Sequence, residues 1–127
     1  PAVHGTVLYV EDNPDNIELM ESLCSQVEGV TLWSAHNAEL GLAIAAARKP
    51  DVIVMDINLP GMNGFEALEH LLADEATRAI PVIALSANAT DRDIAKGEQA
   101  GFFRYLTKPA DLGKLLRCLQ AAMATKP

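Results

Sequence analysis

The chain has 127 residues, ten Lys and Arg against seventeen Asp and Glu, a net charge of −7, and half of its residues are hydrophobic. A chain of this length buries about two-thirds of its unfolded surface, so a single domain over 1–127, with an ordered core over about 6–124, needs no disulfide or structural metal to fold. The acidic balance and the scattering of Lys and Arg argue against nucleic acid as a partner, and the lack of an apolar run of bilayer length argues against a membrane one; the expected compartment is the cytoplasm.

Pro1-Ala2-Val3-His4-Gly5 has no charged n-region feeding an apolar stretch and reads as a loose end, and a start on Pro1 without Met suits a piece excised from a longer multidomain protein. Val7-Leu8-Tyr9-Val10 is an unbroken apolar run, the pattern of a parallel strand covered on both faces, and Glu11-Asp12 follows it. Asn13-Pro14 then offers an N-cap with proline at the first helical position, and Ile17, Met20, Cys24 and Val27 share one stripe, which predicts a helix from Pro14 to Val27. Val30-Thr31-Leu32-Trp33 alternates and suits an edge strand, with Trp33 as packing, and Asn37 to Arg48 is Ala-rich and helix-prone.

Val52-Ile53-Val54-Met55 is a second unbroken run and ends at Asp56. Gly61 and Gly64 are expected to serve the following loop, Gly64 by permitting the turn into the next helix. That helix carries Phe65, Leu68, Leu71 and Leu72 on its stripe, with Asn63 and Glu66 as a capping pair. Val82-Ile83-Ala84-Leu85 is the third unbroken run and ends at Ser86. Asp91 to Ala100 has a weak stripe with Gly97 inside it and is expected to be the least secure helix. Phe102 to Leu106 reads as the fifth strand, followed by Thr107-Lys108, and Leu112, Leu115, Leu116, Leu119 and Met123 mark a last helix before a loose Thr125 to Pro127.

Five strands alternating with five helices indicate an α/β fold, a doubly wound five-stranded parallel sheet with helices on both faces. Such sheets bind ligands at the carboxyl ends of their strands, where the strand order reverses. With the order 2-1-3-4-5, strands 1 and 3 are neighbours at that point, and Asp12 and Asp56 face each other. Four strands therefore deliver three carboxylates (Glu11, Asp12, Asp56), the Ser86 hydroxyl and the Lys108 ammonium to one edge.

Three close carboxylates repel one another unless a cation sits among them. Oxygen ligands without His or Cys, too few to fill a shell without water, suit Mg²⁺ better than zinc, and Ca²⁺ would want more of them. A carboxylate beside Mg²⁺, a hydroxyl and a lysine has the parts needed to accept a phosphoryl group, because carboxylates form covalent phosphate intermediates and the transfer needs mainly positioning and charge neutralisation.

These residues carry a resemblance that covers essentially the whole chain. Glu11-Asp12, the stretch from Asp56-Ile57-Asn58 to Asn63-Gly64, Ser86-Ala87 and Lys108-Pro109, each at a strand end and in this order, resemble the response regulator receiver domain of two-component signal transduction, the flavodoxin-like receiver (βα)5 fold. The resemblance implies that Asp56 is the phosphoacceptor and that Glu11, Asp12, Asp56 and the backbone carbonyl of Asn58 help to hold Mg²⁺. It further implies that Ser86 and Lys108 grip the phosphoryl oxygens, that Ser86 and Tyr105 move on phosphorylation, and that the Lys108-Pro109 bond is cis. Asn58 and Asn88 would lie where the family tunes loss of the phosphate. Implied partners are a histidine kinase or histidine phosphotransfer domain and an output domain or protein met through helix 4, strand 5 and helix 5. Receivers of this kind are signalling domains that catalyse only their own phosphorylation and dephosphorylation. The string from Val10 to Asn16 resembles receivers of hybrid sensor histidine kinases in particular.

Taken singly, the same residues have plainer readings: Asp56 as a turn carboxylate, Glu11 and Asp12 as helix caps, Ser86 as the start of a turn, Lys108 as a surface lysine, Tyr105 as strand packing. The alternative function is a pseudo-receiver, an interaction module that needs no phosphorylation; a full set of polar positions argues against it. A flavodoxin-like cofactor binder is disfavoured because Glu11-Asp12 would repel phosphate, and an aspartate-nucleophile phosphatase because Asn58 stands where a second carboxylate would act. His4, His36 and His70 show no ligand spacing and are expected at the surface, while Cys24 and Cys118 are expected buried on the first and last helices over one sheet face, without a disulfide.

Overall fold

A computed structural model describes residues 4–87, 90–109 and 111–124. Strands and helices alternate as β1 (Gly5–Val10), α1 (Pro14–Ser25), β2 (Val30–Ala35), α2 (Ala38–Arg48), β3 (Val52–Asp56), α3 (Gly64–Ala73), β4 (Val82–Ser86), α4 (Asp91–Ala100), β5 (Arg104–Thr107) and α5 (Leu112–Ala124). All strand pairs are parallel and the order is β2-β1-β3-β4-β5, as the sequence leads one to expect.

Side chains alternate across the sheet, and the alternation builds two core layers. Leu8, Val10, Ile53, Met55 and Ala84 meet Ala45 of α2 and Leu68 and Leu71 of α3 on one face. Val7, Tyr9, Val54, Ile83 and Leu85 meet Met20 and Cys24 of α1 and Leu115, Cys118 and Leu119 of α5 on the other. Cys24 and Cys118 are thus buried in one layer, both as free thiols. His4, His36 and His70 are exposed. No helix among the described residues is long and apolar enough to cross a membrane.

Local chemistry starts the helices. Asn13 accepts from the Asp15 amide at 2.8 Å with Pro14 behind it, Asn37 accepts from Leu40 at 2.7 Å, and Thr90 from Asp93 at 3.1 Å. Asn63 and Glu66 close a reciprocal capping box, each bond 3.0 Å. α4 is held least: Gly97 is its only buried residue.

Some boundaries differ from the sequence expectation. Gly5 is no loose end: its amide donates to the Gly29 carbonyl at 3.0 Å and it pairs with Val30 in the sheet. β5 begins at Arg104, two residues later than the apolar run, because the Phe102 amide is spent on the Gly97 carbonyl at the end of α4, beyond a left-handed Gly101. Phe102 packs edge-on to Phe65, with ring centroids 5.4 Å apart. α1 stops at Ser25, leaving Val27 past the helix, and Leu72 is 41% exposed instead of sharing the α3 stripe. Trp33 packs against the core, its ring 4.1 Å from the Arg48 guanidinium carbon.

Gly64 earns its place by proximity and not by the turn. Only Gly61 in this loop has a positive φ, +73°, whereas a Cβ on Gly64 would stand 2.8 Å from the Asp56 carbonyl oxygen and 2.9 Å from the Ile57 Cα. Both neighbours are backbone directly at the end of β3 and have little room to move. Gly64→Ala is therefore expected to cost about 1–3 kcal/mol in urea unfolding, the usual penalty of overpacking; an unchanged midpoint would show that the β3–α3 loop yields freely.

Candidate functional site

The parallel register aligns the ends of four strands. Val10 pairs with Met55, Asp56 with Leu85 and Ser86 with Thr107, so Glu11, Asp56, Ser86 and Lys108 emerge at one edge. Glu11 and Asp56 are buried, 1% and 3% exposed, and Ser86 is buried at 1%, whereas Asp12 is exposed. Carboxylate oxygens of Glu11, Asp12 and Asp56 lie within 4.8 Å of one another, a spacing one cation can bridge.

Lys108 crosses to this cluster from the far side of the sheet. Its Nζ is 2.8 Å from Glu11 Oε1 and 3.2 Å from Asp56 Oδ2. The Lys108 amide donates to the Ser86 carbonyl at 2.7 Å, and the Lys108-Pro109 peptide bond is cis. The Asn58 amide donates to Asp56 Oδ1 at 3.1 Å, which ties the β3–α3 loop to the same carboxylate. Tyr105 is half-buried on β5, and its ring lies against Gly97: a Cβ there would overlap ring atom Cδ2. A glycine inside a helix is unfavourable by about 1 kcal/mol relative to alanine, so this slot for the ring accounts for Gly97. Asn88 lies outside the described residues.

Two participants were not singled out from the sequence. The Tyr9 hydroxyl donates to Glu11 Oε1 at 3.0 Å and the Asn16 amide donates to the same oxygen at 3.1 Å, while the Asn13 backbone amide donates to Oε2 at 3.2 Å. The available signal was an aromatic hydroxyl two residues before Glu11, on the same side of an otherwise aliphatic strand.

These contacts divide the charge unevenly. Burial works to raise the Glu11 pKa, but hydrogen bonds from Lys108, from Asp56 while that carboxyl is protonated, from the Asn13 amide and from Tyr9 outweigh it and hold Glu11 down to about 2. Burial, then the Glu11 carboxyl beside it, pushes Asp56 up from the usual carboxylate range, and the Asn58 amide and Lys108 only partly offset that. Lys108 is lifted by Glu11 and Asp56 against the downward pull of its own burial. Burial and the neighbouring Glu11 push the Tyr9 hydroxyl far up, so it stays a donor. One ammonium thus faces more carboxylate charge than it neutralises, and ionised Asp56 is the member in deficit. The all-oxygen donor set and this deficit fit a hard divalent cation.

A raised folded-state pKa means that ionised Asp56 opposes folding at any pH above the ordinary carboxylate range, and stops doing so once pH falls below it. In metal-free buffer at neutral pH, Asp56→Asn is therefore expected to raise Tm by a few degrees, with the gain fading in acid; a lower Tm at neutral pH would refute this charge balance.

Comparison with known proteins agrees with this geometry. The model of the response regulator receiver domain matches residues 7–120. Protein PilH of Pseudomonas aeruginosa is 37% identical over 118 residues, covering 93% of this chain and 97% of that protein. The polar-differentiation response regulator DivK of Brucella anthropi is 33% identical over 116 residues, covering 91% and 94%. Among solved structures, the receiver domain of a sensor histidine kinase from Pseudomonas aeruginosa PAO1, crystallised with a magnesium ion coordinated in its active-site cleft, superposes with a TM-score of 0.86 at 33% identity and covers 96% of this chain and 99% of that one. With the family model spanning nearly the whole sheet and the acidic edge built as described, the chain belongs to the response regulator receiver domain family of two-component signalling.

Proposed function

We propose that this domain accepts a phosphoryl group onto Asp56 from the phosphohistidine of a histidine kinase or histidine phosphotransfer domain. The observation that carries the reading is the convergence of Asp56 with Glu11 and Asp12 within 4.8 Å and with Lys108 at 3.2 Å. An Asp56 oxygen attacks phosphorus as the P–N bond to the donor imidazole breaks, and the leaving nitrogen retains the bonding pair. Lys108 turns from the carboxylates toward the phosphoryl oxygens, and the Ser86 hydroxyl donates to them. Asp12, Asp56, the Asn58 carbonyl and Glu11 are the groups assigned to Mg²⁺. When bound, Mg²⁺ supplies the charge neutralisation that lets an anionic acceptor approach an anionic phosphoryl group.

The signal leaves through α4, β5 and α5. As Ser86 shifts toward the new charge, the Tyr105 ring turns inward and leaves its seat on Gly97, the only buried residue of α4. A helix held by so little belongs to the low-stability part of the fold, from which switches are drawn. The partner on this face is an output domain or protein, and the sequence around Glu11-Asp12 suits a setting in a hybrid sensor kinase.

The acceptor is tested by intact-mass spectrometry after incubation with a small phosphoryl donor. One phosphoryl adduct is expected on the wild type, dependent on Mg²⁺ and absent in Asp56→Asn. A lack of adduct, with the donor active on a control receiver, would favour a phosphorylation-independent interaction module. The metal assignment has its own check. Mg²⁺ at a hundredfold excess over its dissociation constant stabilises the fold by about 2.7 kcal/mol, read as a rise in Tm. Asp12→Ala is expected to abolish that rise, and an equal response in the variant would defeat the assignment.

A further inference from the structure

The charge of this acidic chain is segregated. From Pro1 to Glu75 only Arg48 and Lys49 are basic, and the other cations come later. A groove of about 300 Å³ between β5 and α5 gathers some of them: it is lined by Arg104, Leu106, Lys114, Arg117, Cys118 and Ala121. None of these lining residues is acidic. Arg104, Lys114 and Arg117 are exposed, and none of them is in an ion pair among the described residues.

The groove is shaped as well as charged. The Arg104 guanidinium sits 4.4 Å over the Phe103 ring and donates to the Phe103 carbonyl at 2.8 Å, so its position is set before any ligand arrives. Lys114, Arg117, Cys118 and Ala121 fall three or four residues apart on α5 and so share one side of it. Burial raises the Cys118 thiol, and Arg104 and Arg117 oppose that rise, which places the fields of both guanidiniums on the floor of the groove. Leu106 and Ala121 add half-buried apolar surface.

We propose that this groove docks an acidic, amphipathic segment of a partner protein, with carboxylates on Arg104, Lys114 and Arg117 and an apolar side chain on Leu106 and Ala121. Charge complementarity selects the occupant. A polyphosphate backbone would meet three cations on a chain of net charge −7 and gain nothing from an apolar floor. A short acidic segment with one apolar anchor uses both features, and arginine forks suit carboxylates bidentately. The inference rests on the reading of β5 and α5 as part of the signalling face.

The test uses the whole chain and a fluorescein-labelled peptide of Glu and Ala with one central Leu, compared with a peptide carrying Lys for Glu and with a short DNA duplex. Saturable anisotropy is expected with the Glu peptide alone, weakening with salt, and amide shifts confined to β5 and α5 in two-dimensional NMR. Arg117→Glu and, separately, Arg104→Glu should each weaken binding at least about fivefold, the scale of one exposed charge contact of about 1 kcal/mol. Equal binding of the Lys peptide, tighter binding of the duplex, or shifts mapping to α1 would overturn the proposal. So would self-association through this groove in sedimentation, which would make the occupant a second copy. Phosphorylation of Asp56, measured on the same samples by mass, separates the two readings. Normal phosphorylation without peptide binding sinks the groove alone, and peptide binding without phosphorylation sinks the acceptor alone.

Discussion

Everything at the working edge depends on two carboxylates buried side by side with one lysine between them. Glu11 and Asp56 end neighbouring strands, and Lys108 reaches both from a position 97 residues beyond Glu11. Burial multiplies the cost of any charge left over. The surroundings satisfy Glu11 fully, with donors from Tyr9, Asn13, Asn16 and Lys108, and leave Asp56 with less. The fold therefore gives up stability at one carboxylate, the one proposed as the phosphoacceptor. A bound cation would offset that imbalance, whereas in the proposed reaction the phosphoryl group would add negative charge and draw the single ammonium toward itself.

The two faces of the sheet serve this edge differently. α1 and α5 bury Met20, Cys24, Leu115 and Leu119 against β1, β3 and β4, a packed layer on the face of the sheet that carries Tyr9. On the opposite face α2 and α3 pack closely, and Gly64 brings the backbone of α3 against that of Asp56 and Ile57. α4 stands apart from this: Gly97, against the Tyr105 ring, is its only buried residue. Closely packed supports lie under the proposed chemistry and the least buried helix lies beside the strand that would report it, an arrangement in which a small change at Ser86 or Lys108 would have one easy direction in which to propagate.

The charge asymmetry follows the same division. The carboxylates that would hold a divalent cation come from the acidic first part of the chain, while the groove between β5 and α5 is lined by cations despite the net charge. Local charge therefore differs in sign between these two clusters of side chains.

The alternation of elements and much of the site are legible in the order of the residues. Unbroken runs such as Val52 to Met55 have the pattern of strands covered on both faces, Asn13-Pro14 and Asn63 to Glu66 start helices by chemistry confined to a few residues, and the polar residues of the site stand at the ends of strands or within two residues after them. Such features are legible because they depend on neighbours in the chain. The rest follows from how separate elements approach one another in three dimensions, even where they are close in the chain: the grip of Tyr9 and Asn16 on Glu11, the backbone contact that demands Gly64, the ring that demands Gly97, and the start of β5 at Arg104, delayed because α4 claims the Phe102 amide. The charge of Asp56 belongs to this second group. Its residue type is written in the chain, but its reluctance to ionise arises from burial beside Glu11, and that exists only once β1 and β3 lie next to each other.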